Sequence, residues 1–513
     1  MDALADSLQA TADWITAHIT MWVLIAAGSF LTVVSRGVQV RHLPDMVRQI
    51  GGARGGARGG ISSFQAFAIS LAARVGVGNV FGVAAALLMG GPGAIFWMWV
   101  VACVGMATAF FEATLAQVFK VRAADGSFRG GPAFYMARGM GGAGGRVMAG
   151  VFAVITLVTC GFVITSVQSN AVAGTLVAAL GGGEESALPG FGGLTAAQLV
   201  VAGLVFVLTA VVVFGGIRAV ARVTEWMAPI MALFYIVLVL IICLTNIGDF
   251  FAVIGQILSS AFAPEPLMGG LGGGILAAVI NGTKRGLFSN EAGQGTAPNA
   301  AATATVAHPV QQGFIQSLGV FVDTIVVCTA TAFVILIAGP DTWTAEGVNP
   351  STLTTLAISH ELGGWTILPM AILIFVLAYS SIIAAYVYTD VNMDYLTGGK
   401  HWASWTVRVI SVVSATAGAV LSLDVVWNAV DIAMAVMTLT NLLALLRLFR
   451  WGLGALRDYE SQRAAGVGEP IFHGRGNPYL PADVPGDVWL EDVPMRIRLM
   501  TGSQPSRTTV RSQ

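Results

Sequence analysis

SSFQAFAISLAARVGVGNVFGVAAALLMG, residues 62–90, is an apolar run long enough to cross a membrane, interrupted at its centre by Arg74 and by Gly76-Val77-Gly78-Asn79. Glycine and asparagine at mid-span weaken a helix, and backbone groups opened there are tolerated at membrane depth only where protein or a cavity satisfies them. A span broken in this way is a candidate ligand site. Close helix packing is the plainer account of the two glycines, but packing does not call for Arg74 or Asn79.

A second such stretch, NGTKRGLFSNEAGQGTAPNA at 281–300, lies inside an unusually long apolar segment. Lys284, Arg285 and Glu291 each cost roughly 2.5–3.5 kcal/mol on insertion scales, so they are expected to face a cavity or one another. Gly282, Gly286, Gly293 and Gly295 are expected to loosen this helix too. A structural Lys–Glu pair explains the charges and leaves the glycine density unexplained.

Both stretches sit in a chain of membrane composition. Of 513 residues, 56% are hydrophobic and 10% charged, with mean hydropathy +0.78, against about 25% charged residues in soluble domains. No nucleic-acid surface is implied. The first 35 residues lack Lys and Arg, hence the charged start of a cleavable signal peptide, and the first apolar run is expected to remain in the mature protein.

A crossing helix needs about 20 apolar residues, which predicts about eleven spans. They lie near 19–35, 64–89, 94–119, 148–178, 196–216, 224–246, 268–305, 312–338, 365–390, 404–423 and 426–448. Basic residues near span ends stay on the cytoplasmic side. Arg36, Arg41, Arg48, Arg54 and Arg58 follow span one, and Lys120, Arg122, Arg129, Arg138 and Arg146 follow span three. Arg218 and Arg222, Lys400, and Arg447, Arg450 and Arg457 follow spans five, nine and eleven. The connections near 90–93, 179–195, 247–267, 339–364 and 424–425 have none. The alternation predicts an N-terminus outside and a C-terminus inside. GGARGGARGG, ahead of residue 61, reads as a flexible basic cytoplasmic loop, and the polar Pro/Gly-containing chain after about 452 as a solvated cytoplasmic tail.

Counting between the breaks gives them meaning. If spans two to six form one unit and seven to eleven another, each has five crossings, and an odd number inverts the second. Discontinuous helices at the first position of each inverted repeat point to a mid-membrane transport site. The N-terminal end of a half-helix offers N–H groups and positive dipole to a carboxylate, and carbonyls at the opposite end suit a monovalent cation. The predicted organisation is thus 1–63 for the outer N-terminus, first helix and basic loop, 64–246 and 247–449 for two five-helix repeats, and 450–513 for the tail.

Other intramembrane polar residues carry less. Gln168 on span four lines the site or bonds a neighbouring helix, and Ser380-Ser381 on span nine offer hydroxyl oxygens to Na+ or bond their own helix. Glu112, Asp323 and Asp431 read first as residues with structural partners. Trp97, Trp99, Trp402 and Trp405 read as interface anchors. Cys103, Cys160, Cys243 and Cys328 are isolated in apolar runs and read as packed small hydrophobes; no histidine pair has ligand spacing, so neither a metal set nor an enzyme is expected.

SLAARVGVGN at 70–79, GGPGAIFWMWVVACVG at 90–105 and NGTKRGLFSNEAGQGTAP at 281–298 resemble the alanine or glycine:cation symporters, also called sodium/alanine symporters. The resemblance extends over roughly 15 to 450, with Cys103 and Gln294 as small departures. It implies an all-α polytopic membrane protein with a leucine-transporter-like five-plus-five inverted-repeat core and one extra N-terminal helix, working as a monomer in the bacterial inner membrane. It implies alternating-access uptake of L-alanine or glycine, with D-alanine a further candidate, coupled to Na+ and without a cofactor. The cation would sit between the carbonyls of Ala72 and Val75 and the hydroxyls of Ser380 and Ser381. The substrate carboxylate would face the N–H groups of Val77, Gly78 and Asn79, with Gly76 beside them in the substrate site and Gln168, Asn281, Phe288 and Ser289 as the remaining wall and amine contacts. The alternative is a proton-coupled carrier of small neutral amino acids that titrates Glu112, Glu291 or Asp323.

Overall fold

The computed structural model describes residues 2–52, 61–123, 126–179, 194–264, 274–343, 345, 348–420 and 423–489. Arg54 and Arg58, most of the glycine-rich loop and of the 179–195 connection, and the last 24 residues lie outside them. The regular structure of the described chain is helical apart from one two-stranded hairpin, β1 (Val121–Arg122) with β2 (Phe128–Arg129), and one isolated β-bridge.

Helix α1 spans Ser7–Val34, starting well before the expected residue 19. The first broken span is α2 (Ser63–Arg74), a 3-10 turn at Val77–Asn79, and α3 (Phe81–Gly90). Ser62 starts α2 by accepting from the Gln65 N–H while the Gln65 side chain takes the Ser62 N–H, a reciprocal cap that satisfies two otherwise orphaned donors. Then follow α4 (Gly93–Val118), α5 (Gly142–Val177), α6 (Ala196–Val213) and α7 (Gly216–Thr245). The second broken span is α8 (Gly274–Asn290) and α9 (Ala297–Ala302). It leads into α10 (Pro309–Ile337), α11 (Gly364–Thr397), α12 (His401–Gly418) and α13 (Leu423–Ala464).

Among the described residues eight helices are long and apolar enough to cross a membrane, nine when the bent first pair counts as one span. Two of the eleven expected spans fall outside that measure. Span seven is two short helices about an irregular turn, and α12 is diluted by His401, Arg408 and its serines and threonines.

Three expectations change. Gly282 and Gly286 do not loosen α8, which runs unbroken to Asn290. A Cβ on Gly282 would come within 2.5 Å of the Ala94 carbonyl oxygen, so this glycine is what lets α8 lie against α4. Lys284 and Arg285 pair neither with Glu291 nor with each other. Lys284 bridges Asp13 and Asp431 at 2.8 and 2.9 Å, and Arg285 reaches Asp431 at 2.9 Å, tying α8 to α1 and α13. Trp97 and Trp99 donate inside the protein, to the Ala261 carbonyl and the Thr329 hydroxyl, whereas Trp402 and Trp405 are exposed as interface anchors should be.

The tail is not simply solvated. α13 continues to Ala464, and Phe472, Val484, Val488 and Trp489 are buried against the end of the molecule that carries the basic connections. The Phe472 N–H donates to the Ala307 carbonyl, and the Trp489 indole N–H to the Gln117 and Val118 carbonyls at the end of α4. Lys120 lies between the Phe128 and Trp489 rings and donates to the Ala304 carbonyl. Widely spaced apolar side chains among prolines and glycines have no period, which hides this docking from a pattern reading.

Candidate functional site

At the first break the backbone leaves the helix at Val75 (φ −75, ψ 77) and turns back within four residues. The Gly76 N–H donates to the Asn79 side-chain oxygen at 3.0 Å and the Asn79 N–H to the Gly76 carbonyl at 3.2 Å. On the α3 side Thr331 donates to Asn79 O at 2.7 Å, and Thr354 adds a bond of 3.2 Å to Val80 O, which also accepts the Ala84 N–H. That accounting lets the broken backbone stay buried. The Val77 N–H meets only a long contact, 3.4 Å, to the Gln168 side-chain oxygen.

The facing wall is α11. The Ser381 hydroxyl is 2.9 Å from Ala72 O and 3.2 Å from both Ala73 O and Leu377 O of its own helix, whereas Ser380 has its shortest bond, 2.8 Å, to Leu377 O of its own helix and stands 3.2 Å from Ala72 O. Ala72, Ser380 and Ser381 are therefore brought together as expected. Val75 is adjacent in sequence, but the serines bond Ala72 and Ala73 rather than its carbonyl. Gly76 lies so close to this pair that a Cβ there would overlap the Ser381 hydroxyl and approach Gln168 to 3.3 Å.

From the second span, Phe288 and Ser289 reach the same place. A Cβ on Gly78 would stand 2.9 Å from the Phe288 ring and 3.3 Å from Ser289 Cα. Ser289 accepts from the Asn79 amide at 3.0 Å. Asn281 does not join them. It lies seven residues earlier on α8, about 10 Å along the helix, and bonds the Met89 and Ala277 carbonyls where α8 crosses α3.

The sequence reading gave too little to Asp323 and Cys328. Both belong to a π-helical stretch of α10, Phe321–Cys328, an irregularity common at functional positions. Asp323 accepts from the Asn79 amide at 2.6 Å, Ser289 at 2.8 Å and Thr324 at 2.8 Å. The Cys328 sulfur contacts Asn79 and Ser289 at 3.2 and 3.1 Å, so this cysteine is not merely packed among apolar groups. The available signal was an aspartate inside an apolar run, which by default marks a functional position.

The second break spans Glu291 to Thr296, with left-handed backbone at Glu291 (φ +55), Gly293 (φ +89) and Gly295 (φ +81). Its freed N–H groups are consumed by Glu112 of α4, which accepts from Gly293 at 3.2 Å and Gly295 at 3.0 Å. Asn441 of α13 donates to Glu112 and to the Gly293 carbonyl. Glu291 accepts from Thr296 at 2.9 Å and Tyr388 at 3.3 Å. Beyond both breaks the tips of the two spans meet in a β-bridge, Ile61 with Ala304, where the Thr305 N–H donates to Ile61 O.

One broken span whose open face meets paired serines, crossed by a second broken span, can hold a cation and a small polar solute side by side. The model of the sodium:alanine symporter family matches residues 1–474. The chain belongs to that family. Its similarity to the amino-acid carrier protein AlsT of Bacillus subtilis is 41% identity over 461 residues, 90% of this chain and 93% of AlsT. The sodium/alanine symporter AgcS of Methanococcus maripaludis is 36% identical over 430 residues, 83% and 90% of the two chains, and the probable sodium/glutamine symporter GlnT of B. subtilis 38% over 462 residues, 90% and 91%. The fold is that of MhsT, solved in complex with L-phenylalanine: TM-score 0.55 at 15% identity, covering 77% of this chain and 91% of MhsT. This symporter is accordingly a multi-pass membrane transporter of leucine-transporter-like fold and not an enzyme.

Proposed function

We propose that the protein imports alanine, glycine or both with Na+ by alternating access. The observation that carries the reading is the convergence of the Ser380 and Ser381 hydroxyls with the Ala72 carbonyl directly behind the Gly76–Asn79 break. Na+ there takes hard oxygen ligands and fixes the break. Val77 and Gly78 then present N–H groups to the substrate carboxylate, the Asn79 N–H being held by the Gly76 carbonyl, and Gln168, Phe288 and Ser289 form the wall. Each ligand raises the other's affinity because both bind the same backbone geometry. Phe288 packs against Gly78 and puts an aromatic ring beside the break, a wall that in this reading favours small amino acids over the glutamine named for one relative.

In this reading the protein sits in a bacterial inner membrane with the end that carries the basic connections in the cytoplasm, which the bias of Lys and Arg supports. In the five-plus-five arrangement, inward opening separates the Ile61–Ala304 bridge. A second reading, proton coupling, is favoured by Asp323, a buried carboxylate that touches both broken spans without an ion pair among the described residues. A relative is named a putative sodium/proton-dependent alanine carrier. Labelled alanine and glycine uptake into proteoliposomes, with Na+ and pH gradients imposed separately, decides. Accumulation that follows Na+ supports the proposal; accumulation that follows only the pH gradient replaces it with the second reading.

A further inference from the structure

A cavity of about 260 Å³ lies apart from the serine pair and the first break. Its walls include Ile61, just ahead of α2, and Thr303, just after α9, so it sits where the tips of the broken spans meet at their bridge. α11 supplies the facing wall with Tyr386 and Asp390, about 7 and 13 Å along that helix from Ser381 at about 1.5 Å per residue.

Its chemistry is uneven. Arg129, Arg218 and Arg408 line it, against Asp390 as the one carboxylate among its lining residues. Arg129 also has Asp394 at 3.7 Å, and the Arg408 guanidinium rests over the Trp405 ring, 5.5 Å from its centroid. The Tyr386 hydroxyl has Ser404 and Arg408 as polar neighbours, yet neither it nor Arg408 Nε makes a hydrogen bond of ordinary length. Tyr386 is 1% exposed. Tyr386, Ser404 and Arg408 stand together among the lining residues, which gives the cavity polar groups able to meet oxygen atoms brought by a ligand. A guanidinium fork with two hydroxyls fits a carboxylate, and Asp390 fits an ammonium. The volume lies just under the range of drug-sized ligand sites, about 300–1,000 Å³.

We propose that this cavity is a second binding site for a small zwitterionic amino acid, independent of Na+, filled from the basic end. The identity of the occupant rests on the amino-acid cargo proposed above; independence from Na+ follows because Ala72, Ser380 and Ser381 do not line the cavity. An occupant wedged between α11 and the bridged tips retards release, so accumulated product slows further transport.

Equilibrium binding of labelled L-alanine to the purified full-length protein tests the site. Two alanines per chain are expected with Na+, and one in Na+-free buffer. Ser381→Ala keeps the Na+-free site. Arg408→Gln removes it while leaving the Na+-dependent one, and Tyr386→Phe, which deletes only a hydroxyl, weakens it by about tenfold. Unlabelled lactate, lacking the ammonium, competes less well than alanine, and inorganic phosphate less well again. Absence of Na+-free binding, its survival in both Arg408→Gln and Tyr386→Phe, or displacement by phosphate better than by alanine each overturns the proposal, leaving the cavity to water or inorganic anions. Loss of only the Na+-dependent site would instead overturn the transport reading and spare this one.

Discussion

The two broken spans look alike in sequence and are used differently. At the first, the backbone opens toward α11, and among the described residues the Val77 N–H meets a single long contact, to Gln168. At the second, both glycine N–H groups are taken by Glu112 at 3.0 and 3.2 Å, and the adjoining carbonyl by Asn441. One break keeps a backbone N–H without a close partner among the described residues. The other is stitched into the bundle, and what it contributes to the site comes from the end of α8 before it, Phe288 and Ser289. A glycine cluster in a membrane helix marks broken backbone; whether that backbone is available depends on what the neighbouring helices aim at it.

The largest effect is expected from Glu112→Ala, which strands two buried N–H groups at about 1–3 kcal/mol each. The thermal midpoint should fall steeply and Na+-dependent uptake disappear, with partial recovery in Glu112→Gln, which keeps one acceptor oxygen. A wild-type midpoint in the alanine variant would mean that the second break is held by something else.

Gly76→Ala sharpens the other side. The added methyl overlaps the Ser381 hydroxyl, so uptake should drop by on the order of 100-fold, about 2.7 kcal/mol, while the folded protein remains monodisperse by size exclusion. Equal loss of fold and function in the two variants would erase the distinction between the breaks.

Removing the cation gives a third test. A ligand at 100 times its Kd stabilises the folded state by about 2.7 kcal/mol, so replacing Na+ by K+ should lower the wild-type midpoint. Ser381→Ala should abolish most of that difference, and uptake with it; an undiminished Na+ shift would take Ser381 out of the cation site.

The smallest effects separate two glycines of one motif. Gly282→Ala pushes against the Ala94 carbonyl and should cost about 1–3 kcal/mol. At Gly286 the nearest atoms to an added Cβ, in Met98 and Val101, are 3.5 Å away. Gly286→Ala should therefore be neutral or stabilise by up to about 1 kcal/mol, the helix propensity gained. Melting curves of the pair decide whether these glycines serve packing or flexibility.

How far the sequence carries can be judged residue by residue. The first break was placed correctly because four consecutive residues, Gly76 to Asn79, have no reason to occupy mid-span otherwise. Ser380 and Ser381 were legible as hydroxyls inside an apolar run, but only the crossing of α11 over α2 brings them to Ala72. Asn281 failed because polarity near a motif says nothing about distance along a straight helix. The second break was blurred over some fifteen residues, since Gly282 and Gly286 carry the same letter as Gly293 and Gly295. Asp323 was visible and underrated, because a lone intramembrane acid is compatible with many partners.

The sequence by itself determined that this is a membrane carrier with two interrupted spans, because hydropathy, glycine placement and the distribution of charge act locally and are written in order along the chain. Tertiary structure decided which N–H groups stay open, which charges pair across α1, α8 and α13, and that the tail folds back as far as Trp489. Those outcomes depend on residues hundreds of positions apart meeting in space, Glu112 with Gly293 and Lys120 with Trp489 among them, and no local pattern specifies such a meeting.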